Sequence, residues 1–521
     1  MPFRTLLILL LVLSPGGPGA LAQEVTSATM REKVRAWRAS HAAEILQEFA
    51  ELLAIPNLAS DAPSIRRNAG YIARMLERRG VAVRLLEHGD APPVVYGELR
   101  APGAERTVIV YAHYDGQPVD ATEWTGQPWT PVLRDQALEA GGRDIPWPRP
   151  GEATQPEWRI YARSASDDKT PIMGFMAALD ALRASGIPLS VNLKFFFEGE
   201  EEAGSPHLAA ILKENAELLR GDLWLICDGP MHQSRRPQIV FGARGMLGLD
   251  ITLYGSVRAL HSGHYGNWAP NPAAALAHLL ASLRDPQGRI LVPGFYDDVR
   301  PLTESERRAA EHMPEIESGL KRSLGLAATE GRGRSLAELV LEPALNIRGL
   351  HSGAVGAQAR NSVPVSATAS IDIRLVPNQL PQRVVERVEA YLRSQGYFIV
   401  HADPDMETRR QHARIVRLDW SPDYPAGRTS MDLPASRALT QAAEEALGGP
   451  VLRVPTLGGS VPMHLFLEDL KTATVILPVA NHDNNQHAAN ENLRLKNLWD
   501  AIELYAGVIA RLGPIWRSQR P

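Results

Sequence analysis

Five short stretches of this 521-residue chain each end an apolar run on residues that bind cations or accept protons. "VIVYAHYD" ends on His113 and Asp115, "RIYARSASDDK" leads to Asp167 and Asp168, and "VNLKFFFEGEEEAGS" ends on Glu198, Glu200, Glu201 and Glu202. "LWLICDGP" ends on Asp228, and "TATVILPVANHDNNQHAANE" runs into a loop with His482 and His487. Taken singly, each has a plainer reading: a surface turn, helix-start charge or a solvated acidic loop. Taken together they are a set of imidazoles and carboxylates able to ligate a divalent ion such as zinc through nitrogen or oxygen. Carboxylates crowded into a low-dielectric site repel one another unless cations neutralise them.

The elements that must position these residues alternate. Apolar and β-branched runs ("VAVRLLE", "PVVYGELR", "TVIVYAHYD", "LWLICDG") are separated by helical segments, which argues for an α/β sheet covered on both faces. In such a sheet, ligands bind at the carboxyl ends of the strands. Residues i and i+2 of a strand project to one side, so Asp115 can lie beside His113 and orient it or a neighbouring ligand. Thr170 and Pro171 predict the cap and first residue of a helix whose apolar face carries Ile172, Met173, Phe175, Met176, Leu179 and Leu182, leaving Asp167 and Asp168 in the strand-to-helix loop. The region from Val25 to about Arg79 is helical in pattern. Trp124 to Trp158, rich in Pro, Gly and Trp, predicts a long loop with at most one hairpin. After "VFGARGMLG" the texture changes to alternating strands ("LDITLYG", "SATASIDIRLVP", "ARIVRLDW") and amphipathic helices ("NPAAALAHLLASLRD", "PQRVVERVEAYLRSQG"). Helix "SRALTQAAEEALG", strand "TATVILPVA" and a last helix from Leu493 then restore the α/β pattern. The expected organisation is a leader over 1–22, a catalytic domain in two parts (23–246 and 421–521), and a smaller α+β domain inserted over 247–420.

Composition narrows the partners. With 44% apolar residues, 22% charged residues and a formal net charge of −4, the chain has the profile of an ordinary globular protein. No Lys/Arg stripe calls for nucleic acid or an anionic membrane, so a small molecule or peptide is the expected substrate. The start, "MPFRTLLILLLVLSPGGPGALAQ", has one basic residue, an apolar run from Leu6 to Leu13 too short to span a bilayer, and Ala20-Leu21-Ala22. That is the form of a secretory signal cleaved near Ala22, making the protein periplasmic or secreted, with an uncleaved anchor as the alternative. Export would permit disulfides, but Cys227 is the single cysteine and cannot form one within the chain.

As an ordered set these motifs resemble the M20 family of metallopeptidases, a dinuclear zinc group that includes dipeptidases, carboxypeptidases and deacylases. The resemblance covers nearly the whole chain after the leader. It implies a catalytic domain with a mixed, mostly parallel sheet and helices on both faces, and a lid or dimerisation domain inserted into it. Carried over by motif, His113, Asp167 and Asp228 would hold one metal and Asp167, Glu202 and His487 the other, with Asp167 bridging. Asp115 would orient the site. The pattern Glu-Glu-x-Gly-Ser selects Glu201 as general base and leaves Glu200 outside. The two ions would lower the pKa of a water towards neutrality, and Glu201 would take its proton and pass it to the leaving amine. His261 in "ALHSGHYG" matches a lid histidine that reaches the scissile carbonyl, often across a dimer. Arg374 in "DIRLVPN" matches an arginine that clamps a free carboxylate, while Asn361 in "RNSVP" and Gly459-Ser460 in "TLGGSVP" match further substrate contacts. The family also implies a cis peptide between Asp167 and Asp168.

The expected activity is therefore hydrolysis of dipeptides or short peptides with a free C-terminal carboxylate, using two divalent ions: zinc, with manganese and cobalt as alternatives. A homodimer through the inserted domain is implied as well. A deacylase of N-acyl amino acids on the same scaffold is the nearest rival, and a non-catalytic metal- or peptide-binding protein the more distant one. The chain departs from the family where Ala162-Arg163-Ser164 replaces Gly-x-Gly and Thr170 replaces glycine, which affects pocket shape and substrate rather than any ligand.

Overall fold

The computed structural model describes residues 26–421, 424–459 and 461–519. The leader expected over 1–22 lies outside them. Among the described residues no helix is long and apolar enough to cross a membrane.

The larger unit is built on an eight-stranded sheet. Its order is Ala82–Leu86, Val94–Leu99, Asn192–Glu198, Thr107–His113, Leu223–Ile226, Thr474–Ile476, Gln238–Val240, Leu452–Val454. The four consecutive strands from Asn192–Glu198 to Thr474–Ile476 are mutually parallel, so their carboxyl ends open on one edge. Both faces are buried, which is why these strands read as near-continuous apolar runs. Val108, Val110 and Ala112 point into a core shared with helices Lys169–Ala184 and Leu495–Ser518. Ile109 and Tyr111 point the other way, into a core shared with helix Leu208–Glu214. Three helices, Ser27–Ser40, Ala42–Leu53 and Ala62–Glu77, account for the helical N-terminal pattern. On one face Phe175 stacks on Tyr505 with ring centroids 3.9 Å apart and planes 9° apart. Gly174 allows that approach, since a Cβ there would sit 3.0 Å from the Tyr505 ring.

The inserted unit is a five-stranded sheet in the order Ala344–His351, Ser366–Leu375, Gly245–Tyr254, Ile415–Trp420, Phe398–Val400. It has its own core, formed with helices Pro272–Leu283 and Pro381–Ser394. The chain leaves and re-enters the larger unit side by side: Gly242–Ala243 pairs antiparallel with Gly427–Arg428. The crossing is tight. A Cβ on Gly242 would lie 2.7 Å from the Gly427 carbonyl, and one on Gly245 would lie 2.5 Å from the Tyr424 carbonyl.

Two local expectations change. The helix after the two aspartates begins at Lys169, two residues before Pro171, and the Thr170 hydroxyl donates to the Ala165 carbonyl instead of capping the helix. Pro171 is tolerated there because the first N–H groups of a helix have no intrahelical partner. The last helix begins at Leu495, because Asn492–Arg494 is recruited as a strand beside Arg159–Tyr161. The Trp-rich segment contributes Val132–Arg134 to the other side of Arg159–Tyr161, and its Trp129 Nε1 donates to Asn57 at 2.9 Å.

The Phe175–Tyr505 stack ties helices Lys169–Ala184 and Leu495–Ser518 together. Phe175→Ala should lower unfolding stability by about 3–5 kcal/mol, read as a reduced urea midpoint at unchanged far-UV dichroism of the folded state.

Candidate metal centre

Four sheet strands and one loop bring the acids and imidazoles to a single place. His113 closes strand Thr107–His113, and the turn that follows is compressed: a Cβ on Gly116 would collide with the Ser164 hydroxyl. Asp167 lies in the loop after Arg159–Tyr161, and its peptide bond to Asp168 is cis. Glu201 and Glu202 begin a 3₁₀ turn after strand Asn192–Glu198, and Asp228 follows Leu223–Ile226. His487 lies between the strands Thr474–Ile476 and Asn492–Arg494 and has a left-handed φ of 60°. Non-glycine residues held in that region recur at functional sites.

Asp167 is central. Its Oδ1 lies 3.0 Å from His113 Nε2 and its Oδ2 3.0 Å from His487 Nε2. Ligand atoms of His113, Asp167 and Asp228 lie within 4.8 Å of one another, and so do those of Asp167, Glu202 and His487. Asp167 thus belongs to both groups. Asp115 is fully buried, lies 3.3 Å from His113 Nδ1 and accepts the backbone N–H groups of Glu201 (3.1 Å) and Glu202 (3.0 Å). It therefore fixes the imidazole on one side and the two glutamates on the other. Glu201 belongs to neither three-residue group, yet its carboxylate is 3.9 Å from His113 Nε2.

The electrostatics show a site short of positive charge. Burial alone would favour neutral His113, but hydrogen bonding to Asp115 and Asp167 outweighs it and holds the imidazole pKa well above its ordinary value. Burial opposes ionisation of Asp167 as well, and the two histidines overcome it, keeping Asp167 well below the usual carboxylate range. The remaining acids go the other way. Burial and the Asp167 charge push Asp228 up to about 6 and Glu202 up to about 7. Burial, with Asp228, Asp167 and Glu202 nearby, raises Glu201 well above its ordinary value. Carboxylates pushed towards protonation by one another are what a divalent cation would relieve. The donor set, imidazole nitrogen and carboxylate oxygen only, fits zinc and equally admits manganese or cobalt. The residues present fit two such ions.

Other acids of the five stretches have different duties. Asp168 is buried and accepts the His113 N–H at 3.3 Å. Glu198 accepts the Tyr111 hydroxyl at 2.6 Å, and Glu200 accepts both the backbone N–H and Nδ1 of His207. His482 is half-buried, 3.9 Å from Asp483, and belongs to neither group.

The described residues expected to bind substrate belong to neither ligand group. His261 and Asn361 are exposed on a short ribbon of the inserted unit, where Leu260–His261 pairs with Ser362–Val363 and the Ser262 N–H donates to the Asn361 carbonyl. Arg374, in strand Ser366–Leu375, donates from Nε to Asp372 at 2.9 Å. Gly459 is exposed and its carbonyl accepts the Arg244 N–H at 3.3 Å, while Ser460 lies outside the described residues.

Sequence reasoning missed three contributors. Gln117 donates to Glu202 at 2.7 Å, Gln486 donates to Asp167 at 2.7 Å, and Glu491 is a fully buried acceptor for the loop that carries Asp167. All three sit within a few residues of a ligand-type histidine, and that proximity was the available signal. None stands at the end of an apolar run.

The family model described as peptidase family M20/M25/M40 matches residues 109–511. Beta-Ala-His dipeptidase of Homo sapiens is 27% identical over 542 residues, covering 99% of this chain and 98% of that protein. Cys-Gly metallodipeptidase dug1 of Schizosaccharomyces pombe is 26% identical over 493 residues, covering 91% and 96%. Among solved structures, an M20 family metallo-carboxypeptidase, Sso-CP2 from Sulfolobus solfataricus, is similar with a TM-score of 0.71 at 29% identity, covering 90% of this chain and 99% of that one. Human carnosine dipeptidase 1 gives a TM-score of 0.70 at 24% identity, covering 93% and 99%. The chain belongs to peptidase family M20 and is a hydrolase of that metallopeptidase type.

Proposed function

We propose that this protein is an exported dinuclear metallodipeptidase that cleaves the amide bond of dipeptides or short peptides bearing a free C-terminal carboxylate. The observation that carries the reading is the pair of three-residue ligand groups sharing Asp167. The relatives support the substrate class, since the human one is named a Beta-Ala-His dipeptidase and the Schizosaccharomyces pombe one a Cys-Gly metallodipeptidase. Export rests on the Leu6–Leu13 run and the Ala20-Leu21-Ala22 site.

His113, Asp167 and Asp228 would hold one cation, and Asp167, Glu202 and His487 the other. Two divalent ions, zinc by the resemblance, would supply Lewis acidity and an acidified water. The chain's own residues do the rest. Asp115 orients His113 and fixes the backbone of both glutamates. Glu201, outside both ligand groups and beside them, takes the water's proton and returns it to the departing amine nitrogen. Its carboxylate lies 3.9 Å from His113 Nε2, beside both ligand groups, which is the position a base for a water held there must have. Arg374 offers a planar fork for the substrate's terminal carboxylate. His261, Asn361, Gly459 and Ser460 complete substrate binding, with His261 on an exposed ribbon that a partner subunit's site could receive. Residues 247–420 serve as lid and dimerisation domain.

Glu201→Gln should lower turnover by at least about 10²-fold while metal content, measured by elemental analysis, stays at two ions per chain. Full activity in a metal-loaded Gln variant would refute the assignment. A chelator should abolish hydrolysis, and zinc, manganese or cobalt should restore it. The reactivated enzyme should release amino acids from a dipeptide panel in preference to N-acetyl and N-succinyl amino acids; the opposite preference would establish the deacylase instead. Arg374→Ala should shrink the preference for free over C-terminally amidated dipeptides by about 10-fold or more in kcat/KM, the scale of a charge-assisted hydrogen bond. An unchanged preference would remove Arg374 from carboxylate recognition.

A further inference from the structure

Glu491 is fully buried, only four residues beyond His487, and has no place in either ligand group. Its carboxylate nevertheless accepts five hydrogen bonds, all from the segment that delivers Asp167. Oε1 accepts the N–H of Ser166 at 3.0 Å, the Ser166 hydroxyl at 3.1 Å and the N–H of Asp167 at 2.9 Å. Oε2 accepts the Ser164 N–H at 2.8 Å and Arg163 Nη1 at 2.9 Å. Ser164 has a left-handed φ of 61°, a conformation that opposes an L side chain, and the Glu491 contact helps to hold it there.

Arg163 does two further things. It is buried beside Glu491, so the pair adds acceptors behind Asp167 without adding net negative charge to a site already crowded with it. Its Nη2 also donates to the carbonyl of Ala488, the residue after His487, at 3.3 Å. Trp124 from the long Trp-containing loop covers the guanidinium at 5.2 Å. The two segments that carry Asp167 and His487 are thus bolted together from behind, while the Asp167 side chain faces His113 and His487 in front.

Resting on the dinuclear reading above, we propose that Glu491, with Arg163, is a positioning residue that sets the spacing of the two cation sites by fixing the Asp167 backbone. Any movement of Asp167 displaces a ligand common to both sites, so loss of this anchor should weaken metal binding and not only the fold. A glutamine cannot replace Glu491, because its amide group would turn N–H towards N–H donors. An aspartate is one methylene too short to reach the same donors.

The test uses the full chain stripped of metal and retitrated with zinc against a competing chelator dye, and with cobalt(II) while its visible absorption is recorded. Glu491→Gln and Glu491→Asp should bind zinc about 10–100-fold more weakly than wild type, with an altered cobalt spectrum, at temperatures where circular dichroism shows the metal-free variants folded. Arg163→Lys keeps the charge but loses the planar fork, and should show the same change in smaller measure. If the glutamate variants do not fold, Arg163→Lys decides by the same readouts. Variants that melt lower yet take up two ions with wild-type affinity and spectrum would show a purely structural role and overturn the proposal. A wild-type chain that binds fewer than two ions would instead refute the dinuclear reading, and this proposal with it.

Discussion

Burying several carboxylates within a few ångströms of one another is unfavourable, and most of what surrounds Asp167 exists to make that arrangement tolerable. Two imidazoles, the N–H groups of Glu201 and Glu202, and the amides of Gln117 and Gln486 each meet one of the acids. These partners are not enough. Asp228, Glu201 and Glu202 remain displaced towards protonation, which leaves room for about the charge that two divalent ions bring.

That assembly depends on rigid supports, and the parallel sheet provides them. Strands Asn192–Glu198, Thr107–His113 and Leu223–Ile226 are hydrogen-bonded in register, so His113 lies opposite Glu198 and the segments carrying Glu201 and Asp228 leave from the same edge. Both faces of these strands are packed, on one side by Phe175 and Tyr505 and on the other by Leu208, Ile211 and Phe466, so the strand ends have little freedom to separate. The loops are held differently. Left-handed residues at Ser164, Asn485, His487 and Asn490 cost of the order of 1 kcal/mol each, and buried hydrogen bonds such as those to Glu491 maintain them. A sheet edge supplies the position, and strained loops supply the angle.

This division explains what could be read from the sequence. Strands were legible because they are buried on both sides and so appear as apolar runs, and the acids at their ends were legible because a carboxylate closing such a run is conspicuous. The α/β class and the inserted unit followed from the same periodicities, and the family relationship is shown by the match over residues 109–511. Helix starts were less legible. Thr170 and Pro171 carry the usual start signals, but Thr170 uses its hydroxyl on Ala165, a contact that depends on a loop shape no local pattern encodes. Glu491 was hidden for a related reason: its donors lie more than three hundred residues away in sequence, so its closeness to His487 marks the neighbourhood but not its role as the acceptor for Asp167. His261, Asn361 and Arg374 are proposed from motif alone. Their exposure, ribbon pairing and ion pairing are properties of the inserted sheet, which sequence reveals only as alternation.

Separating the acids from the residues proposed to recognise substrate has a chemical consequence. The larger unit carries every member of the two ligand groups, whereas His261, Asn361 and Arg374 lie on the inserted unit, joined to it through the paired crossing at Gly242–Ala243 and Gly427–Arg428. On the proposed reading, a dipeptide spans both: its carboxylate is held by one unit while its amide meets the base and ions of the other. Binding energy gained at the carboxylate is then spent on aligning the scissile bond, which is how interactions remote from the reacting atoms raise turnover. The glycines at the crossing matter to that alignment, because backbone packed within 3 Å of a would-be Cβ leaves no room for a side chain to change how the two units are joined. On that reading metal geometry is fixed within one unit, by Asp167 and the residues behind it, and substrate geometry is fixed between the two.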